Sequence, residues 1–315
     1  MIRTEICDLL GIHHPILLAG MAGVAFAELT AAVSEAGGMG ILGAANLEPE
    51  ALRKEIRRTR ALTRKPFGVD LLMAVPEMVQ EQIKVIFEEE IPVFVSGLAV
   101  PEGLVERAKK EGMKVISMIG KVAHALRAEA AGVDVIVAQG TEAGGHTGRI
   151  GTFALVPQVV DAVKIPVLAA GGIADGRGLA AAFALGAKGV VMGTRFVASR
   201  EARAASIYQT QVLNARDEDT VVTKCYTGKT LRAIRNAYTD EWERKADRVK
   251  PFPLQALASI EDNVLSFVTT GEIQDASREC MPCGQACGMI KEIQGAGEIV
   301  RQVIRQAEEI IGQRR

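Results

Sequence analysis

The sequence predicts an α/β protein in which eight parallel strands close into a (β/α)8 barrel, the TIM-barrel architecture, with a smaller segment inserted after strand eight. Three observations predict this fold. Short apolar runs alternate with helical patterns over most of the 315 residues. Aromatic residues make up only 4% while glycine reaches 32 residues, which is typical of parallel strands covered by helices. The alternation also repeats eight times, whereas open doubly wound sheets usually have fewer strands.

Each apolar run is short enough for a buried strand and precedes a segment with apolar residues at helical spacing. In the second unit, for example, Leu52, Ile56 and Leu62 recur at roughly helical spacing. After the eighth run, helical sequence begins near residue 201. The eight runs are residues 15–22, 39–45, 66–73, 91–99, 114–120, 134–140, 166–173 and 189–196.

The alternation lapses from residue 216 to about residue 282, in a stretch that contains the only tryptophan, Trp242. We therefore predict three regions. Residues 1–215 form the barrel, residues 216–282 form an insertion that packs over the barrel mouth, and residues 283–315 return to the barrel. Within the last region, residues 289–312 place apolar side chains on one face, which predicts the eighth outer helix.

Composition and charge argue against several classes of function. The net charge is −1 and no basic patch or aromatic RNA-binding motif occurs, so nucleic acid is not an expected partner. No apolar run approaches the roughly 18 residues of a membrane span, and the N-terminus lacks an apolar secretion signal. Five cysteines, an odd number, are typical of a reducing compartment. We expect a soluble cytoplasmic protein that acts on a small molecule, and the sequence leaves a homodimer open.

Two glycine-rich turns end the seventh and eighth predicted strands, AAGGIADGRG at 169–178 and MGTRF at 192–196. In a barrel, these strand ends and the N-terminus of a short helix commonly form a phosphate site, because backbone N–H groups can approach the oxyanion. Thr194 can donate a hydroxyl hydrogen bond, and Arg195 would add charge if it points inward. The alternative is that the glycines only permit tight turns. Neither turn matches the dinucleotide fingerprint G-x-G-x-x-G.

Small side chains follow two other predicted strands. The turns AGMAG at 19–23 and EAGGH at 142–146, the latter including Gly145, leave little bulk on either side of a flat ring. Asp70 and Gln139, at the ends of the third and sixth strands, could hydrogen-bond the polar edge of a flavin. Together with a phosphate site, these residues predict a flat cofactor that lies across the barrel mouth.

Six motifs, in order along nearly the whole chain, resemble those of the nitronate monooxygenase family, formerly 2-nitropropane dioxygenases, which includes flavin-dependent enoyl-acyl-carrier-protein reductases. They are PILLAGMAG, KPFGVDLL, AQGTEAGGHTG, AAGGIADGRG, VVMGTRF and MPCGQACGMI. The resemblance implies non-covalent FMN, with NAD(P)H as the reductant in the reductases. It implies that His146 is catalytic and that Gln285 lies in a run that lines the flavin pocket. The other flavin contacts that it implies are Met21, Ala22, Asp70, Gln139, Gly144, Gly171, Gly172, Met192, Gly193 and Thr194.

Asp70 departs from the family pattern, which usually has asparagine at this position in FGVDLL. Asparagine both donates and accepts hydrogen bonds, whereas an ionised aspartate only accepts. An ionised Asp70 near the flavin would lower the flavin reduction potential, unless a cation such as Lys121 compensates.

His146 lies within the glycine loop, residues 138–153. A neutral imidazole near the flavin could take the α-proton from a nitroalkane or interact with the anionic nitronate. The alternative is that the ring only satisfies hydrogen bonds of the loop. The other histidines, His13, His14 and His124, lie away from the motifs and are interpreted as structural.

The cysteines of CMPCGQACG, residues 280–288, have C-x2-C-x3-C spacing. This spacing resembles an iron–sulfur or zinc motif, but such sites normally need four ligands, and Cys7 and Cys225 lie on remote segments. We therefore predict no metal site.

The first functional hypothesis is an FMN-dependent oxidoreductase that oxidises alkyl nitronates with dioxygen to a carbonyl compound and nitrite. The alternative is a reductase that uses NAD(P)H, through the flavin, to reduce the C=C bond of an enoyl-acyl-carrier-protein or other enoyl thioester. Both need the same phosphate site, ring contacts and histidine, so the sequence separates them poorly. A third hypothesis is a barrel that binds a flavin or a phosphosugar without catalysis.

Overall fold

The structure, a computed structural model, describes residues 2–72, 76–97, 103–266 and 272–312. Parts of some predicted features therefore lie outside the described residues. These parts are residue 73 of the third predicted strand, residues 98 and 99 of the fourth, residues 267–271 of the predicted insertion, and the terminal residues 1 and 313–315.

Eight parallel strands form the wall of a barrel and pair with their neighbours in chain order. The sheet closes into a ring because the first strand pairs with Met39, the residue just before the second strand. The Leu18 N–H donates to the Met39 carbonyl at 2.9 Å. The predicted (β/α)8 barrel is confirmed, and each barrel strand lies within one predicted apolar run. The barrel strands are β1 Ile16–Leu18, β2 Gly40–Gly43, β3 Phe67–Leu72, β4 Val93–Gly97, β5 Lys114–Ile119, β6 Val135–Gln139, β8 Val167–Ala170 and β9 Val190–Met192, and β7 Gly145–His146 lies outside the barrel.

Both faces of the barrel strands are buried, because successive side chains point alternately into the barrel and toward the helices. The inward side chains pack on a short N-terminal helix, α1 Glu5–Leu10, through Ile6 and Cys7. Helix α1 therefore plugs the N-terminal end of the barrel and leaves the opposite end open for a ligand. The inward set includes Leu17, Ile41, Val93, Val95, Ile116, Val135, Val137 and Leu168.

Helices cover the outside of the barrel, and the last one packs against the helices that follow β8 and β1. The close packing of the last helix on the helix after β8 requires a glycine at position 176, since a Cβ there would lie 2.4 Å from the Cβ of Gln306. The terminal helix thereby fills the last place in the outer ring, but it begins at Ala296 and not at residue 289 as predicted. These helices are α2 Ala27–Glu35, α3 Pro49–Leu62, α4 Pro76–Glu88, α5 Leu104–Lys110, α6 Val122–Ala130, α7 Thr152–Ala162, α8 Gly176–Ala184, α9 Thr194–Val197, α10 Ser206–Asn214 and α13 Ala296–Gly312. Two further helices, α11 Ala237–Glu243 and α12 Leu254–Glu261, lie in the predicted insertion.

A small antiparallel sheet joins the predicted insertion to the barrel. Strands β10 Thr220–Thr223 and β11 Leu231–Ile234 form a hairpin, and β11 pairs with β7 so that Leu231 lies opposite His146. Because β7 follows the C-terminal end of β6, this sheet is attached at the barrel mouth. The boundaries at residues 216 and 282 remain a prediction. None of the described helices has the length and apolar character that crossing a membrane requires.

Candidate active site

The residues predicted to hold a cofactor meet at one end of the barrel, because parallel strands all end on the same side. Two close approaches fix the turn after β1. A Cβ on Gly20 would lie 2.2 Å from the Cβ of Asp70, and a Cβ on Gly43 would lie 2.3 Å from the carbonyl carbon of Met21. These distances exclude any side chain at either position. The turn that carries Met21 and Ala22 therefore lies directly against the ends of β2 and β3.

Two turns at the mouth present backbone N–H groups. After β8, Gly171 and Gly172 have φ angles of +97° and +74°, in the region that favours glycine. After β9, Gly193 precedes the first residue of α9, Thr194. Within the described ranges, none of these four residues donates its N–H to an acceptor in the protein. Four such groups at adjacent strand ends suit a bound anion.

The side chains beside these turns differ in what they offer to an anion. The hydroxyl oxygen of Thr194 accepts from the Gly284 N–H at 2.9 Å, so its own hydrogen can still be donated. Arg195 points away from the turns. Its buried guanidinium donates to the Glu292 carbonyl at 3.0 Å and so holds the return segment. The groups free to bind an anion at these turns are therefore backbone N–H groups and a hydroxyl group, without the arginine.

The glycine loop after β6 is held by its own glutamate and by the return segment. The carboxylate of Glu142 accepts from the N–H and the hydroxyl of Thr152, each at 2.9 Å, which ties the loop to the start of α7. Gly144 has no room for a side chain, since a Cβ would lie 2.8 Å from the Gly284 nitrogen. Gly145 has open space but a φ of +75°. Gly144 is thus required because of its close contact with Gly284, and Gly145 because of its backbone conformation.

His146 lies within this loop, as the second residue of β7. Its Nε2 is 2.9 Å from the hydroxyl of Thr227, and its backbone carbonyl accepts from the side-chain amide of Gln139 at 2.8 Å. Burial first, and then the charge of Lys229, lower the pKa of the imidazole to about 4. The ring is therefore neutral at pH 7, and can either accept a proton or donate a hydrogen bond.

Sequence reasoning missed Thr227 and Lys229, which lie on the turn between β10 and β11. They reach His146 only because β11 pairs with β7. The local signal is a glycine turn within YTGKT, which is a common feature of hairpins and indicates no function by itself.

Asp70 differs from its sequence-based interpretation as an ionised acceptor. Its Oδ1 is buried and has no hydrogen-bond partner in the part of the chain that the structure describes. Burial raises the pKa of the carboxyl to about 8. Lys121, the predicted compensating cation, is exposed at the start of α6 and does not counter this increase. Asp70 is therefore protonated at pH 7 and can donate as well as accept, as an asparagine can.

A sequence model described as nitronate monooxygenase matches residues 3–82 and 74–306 of the chain. The chain belongs to the nitronate monooxygenase family. A probable nitronate monooxygenase of Staphylococcus aureus is 35% identical over 324 residues, which cover 86% of this chain and 91% of that protein. The resemblance that six sequence motifs carried is thus confirmed.

Solved structures of the same architecture agree with this membership. FabK from Thermotoga maritima is 40% identical with a TM-score of 0.91, over 99% of this chain and 98% of that one. A nitroalkane oxidase from Streptomyces ansochromogenes is 29% identical with a TM-score of 0.88, over 98% and 99% of the two chains. As a member of the nitronate monooxygenase family, this protein is an oxidoreductase.

Met192 and Gln285, two of the positions that the family resemblance implies, contribute backbone atoms and not side chains to the barrel mouth. The side chain of Met192 belongs to the core between barrel and helices, while its carbonyl accepts from the Ala19 N–H at 2.9 Å. The side chain of Gln285 is exposed, while its N–H donates to the Glu142 carbonyl at 3.0 Å. The cofactor roles that the family implies, for these residues and the others, remain predictions.

The cysteines of residues 280–288 lie in two different cores. Cys280 packs with Cys225 in the small core of the inserted segment, whereas Cys283 and Cys287 belong to the main core. Among the described residues, no three His, Cys, Asp or Glu side chains form a group that could hold a metal ion. The absence of a metal in this family member remains a prediction.

Replacing Cys280, Cys283 and Cys287 together by alanine is expected to leave the flavin content nearly unchanged, because backbone atoms of this segment, not thiols, contact the glycine loop. The lost packing should lower the free energy of unfolding by about 1 kcal/mol for each buried sulfur. Flavin released on denaturation and elemental analysis for iron and zinc provide the measurement. Cys7→Ala, in the plug at the other end of the barrel, controls for the loss of a buried thiol. Stoichiometric metal that disappears in the triple variant would contradict the prediction.

Proposed function

We propose that this protein binds FMN at the barrel mouth. Support comes first from the turns at Gly171–Gly172 and Gly193–Thr194. Their four N–H groups have no acceptor among the described residues, and the N-terminus of α9 adds partial positive charge. The hydroxyl of Thr194 supplies a further donor. These groups fit the phosphate of a mononucleotide.

The remainder of the mouth fits a flat ring with a polar edge. Met21 and Ala22 would flank the ring on one side, and the glycine loop with Gly144 and Gly145 would flank it on the other. A buried carboxyl oxygen without a partner is rare in a folded protein and calls for a ligand group. Oδ1 of Asp70 is such an oxygen, since no described residue hydrogen-bonds to it.

We propose the oxidation of alkyl nitronates as the reaction, with a carbonyl compound and nitrite as products. FMN, when bound, supplies a two-electron acceptor that dioxygen can reoxidise. The observation that carries the proposal is the neutral, buried His146. With a pKa of about 4, the imidazole is a weak base toward the α-proton of a neutral nitroalkane. It can nevertheless donate a hydrogen bond to the oxygen of a nitronate, which has already lost that proton.

Thr227 orients this imidazole, since its hydroxyl lies 2.9 Å from Nε2. The hydrogen bond from Gln139 to the His146 carbonyl fixes the backbone of the same residue. The residue is thus held from both sides, its backbone by the barrel strand β6 and its ring by the inserted segment.

Anaerobic reduction of the purified protein tests this proposal. The protein is expected to be yellow, to release FMN on denaturation, and to lose its flavin colour faster with a preformed alkyl nitronate than with NADH or NADPH. Nitrite should form once oxygen is admitted. If NAD(P)H bleaches the flavin and an enoyl thioester restores it, while nitronates do not react, the protein is an enoyl-thioester reductase. A colourless protein that binds no FMN would refute both reactions.

A further inference from the structure

The turn between β10 and β11 brings a lysine to the histidine at the mouth. Thr230, just after Lys229, accepts at its carbonyl from the Thr147 N–H at 3.1 Å, and its hydroxyl donates to the Thr147 carbonyl at 2.7 Å. Thr227, two residues before Lys229, contacts the His146 imidazole through its hydroxyl. Lys229 therefore lies between Thr227 and Thr230, which are hydrogen-bonded to two consecutive residues of the glycine loop, His146 and Thr147.

The turn is supported from behind by the chain segment before α12. Gly228 has a φ of +82°, and a Cβ there would lie 2.6 Å from the Lys250 carbonyl oxygen. From this segment, Phe252 presents its ring to Lys229, with Nζ 4.5 Å from the ring centroid. A cation–π contact of this kind holds an ammonium group in place without neutralising it.

Lys229 has no carboxylate partner in the part of the chain that the structure describes. The side chain is half-buried, and it forms no salt bridge with any described residue. Its charge instead acts on His146, where it adds to the effect of burial in lowering the pKa of the ring. An ammonium group that is partly removed from water and lacks a counter-ion favours the binding of an anion.

The other charged groups of the mouth do not balance this lysine. Asp70 is protonated at pH 7 because burial raises the pKa of its carboxyl to about 8. The Glu142 carboxylate is bonded to Thr152, and its charge acts on the buried Arg232, so these two charges offset each other. Lys229 remains as the unbalanced charge among these groups.

We propose that Lys229 is a specificity-determining residue that attracts and positions the anionic oxygens of the substrate beside His146. This inference rests on the proposed function, in which the substrate is an anion, and it adds the residue that would favour the anion over its neutral, protonated form. The ammonium would contact one oxygen of the nitronate, and the imidazole N–H would contact the same group from the glycine loop. Neutral nitroalkanes would lack the first of these interactions.

Steady-state kinetics of Lys229→Met and Lys229→Arg with a preformed alkyl nitronate test the proposal. For Lys229→Met, kcat/KM should fall about 10- to 100-fold, mainly through KM, as expected for the loss of one charged contact. Lys229→Arg should retain activity within a few-fold, and added salt should raise the KM of the wild type more than that of Lys229→Met. Lys224→Met, which removes the same charge from an exposed position on the same turn, is the matched control.

A second measurement does not depend on turnover. NMR titration of His146 should show a higher pKa in Lys229→Met than in the wild type, because the lysine charge disfavours the imidazolium. Nitrate, a planar oxyanion, should shift the His146 signal in the wild type and not in Lys229→Met. If the wild type oxidises no nitronate but nitrate behaves as expected, the proposed function fails and the anion site stands. The inference would be overturned if Lys229→Met kept the nitronate KM and the nitrate binding of the wild type. It would also be overturned if this variant lost FMN, or if only its rate of flavin reduction by NADPH changed.

Discussion

Replacement of His146 by alanine is expected to slow anaerobic flavin reduction by a neutral nitroalkane by about 10²-fold, the lower end of the usual contribution of a general base, because an imidazole with a pKa of about 4 is a weak base. A neutral substrate must lose its α-proton, and the imidazole is the base that the glycine loop places at the mouth. For a preformed nitronate the loss should be about 10-fold, because only a hydrogen bond to a charged oxygen is removed. Stopped-flow absorbance with both substrates gives the two rates directly.

The pH dependence of the wild type provides an independent measure of the same group. Burial lowers the pKa of His146 to about 4, so the ring is unprotonated above about pH 5. The rate attributable to this base should therefore not change through deprotonation of His146 between about pH 5 and 8, and should fall as the pH approaches 4. A rise centred near pH 6.5, the ordinary value for histidine, would show that the ring is solvated in the working enzyme.

His124→Ala, which removes a half-buried histidine on α6, is the matched control and should leave both rates unchanged. Loss of FMN from His146→Ala would mean that the histidine holds the cofactor, and its assignment as a base would then be wrong.

Asp70→Asn is expected to make the flavin-free protein more stable than the wild type in alkaline solution and to change it little in acid. The wild-type carboxyl has a pKa of about 8 in the folded state, against an ordinary value of 3.8. Between these values the folded state binds a proton that the unfolded state has released. Wild-type stability is therefore lost as the pH rises through about 4 to 8. An asparagine of the same shape has no such loss, so the difference should reach about 3 to 5 kcal/mol near pH 9.

Urea unfolding of both flavin-free proteins at pH 5 and pH 9 measures this difference. Asp161→Asn, at an exposed position on α7, gives the baseline for removing a surface carboxylate. In the FMN-bound protein, Asp70→Asn should raise the flavin reduction potential only above about pH 8, where the wild-type carboxyl is ionised. A clear increase in potential at pH 7 would contradict the protonated state.

The barrel was predictable because its determinants are local. A run such as residues 135–138 is apolar throughout, since β6 is buried on both faces, and the glycines after β8 and β9 mark tight turns at strand ends. Eight repeats of this pattern leave few alternatives to a closed parallel sheet. The same local pattern explains why Asp70 and Gln139 could be assigned to the mouth, because each lies near the C-terminal end of a strand.

The state of the site was less predictable, because it depends on residues far apart in the chain. Asp70 was interpreted as ionised from its residue type alone, but the surroundings that bury Oδ1 raise its pKa. Arg195 follows the phosphate turn in sequence, but its guanidinium is bonded to Glu292 of the return segment. Both outcomes depend on the direction and burial of a side chain, which spacing does not specify.

The sequence by itself determined the barrel, the mouth at the strand ends, the glycine turns and the family. These features follow from periodicity and from backbone conformations that only glycine adopts readily, and both are properties of short segments. Only the tertiary structure decided that Thr227 and Lys229 accompany His146, because that contact requires β11 to pair with β7 across about 80 residues of chain. It also decided which groups carry charge, since the pKa of a carboxyl or an imidazole is set by the water that folding removes and by the charges that folding brings near.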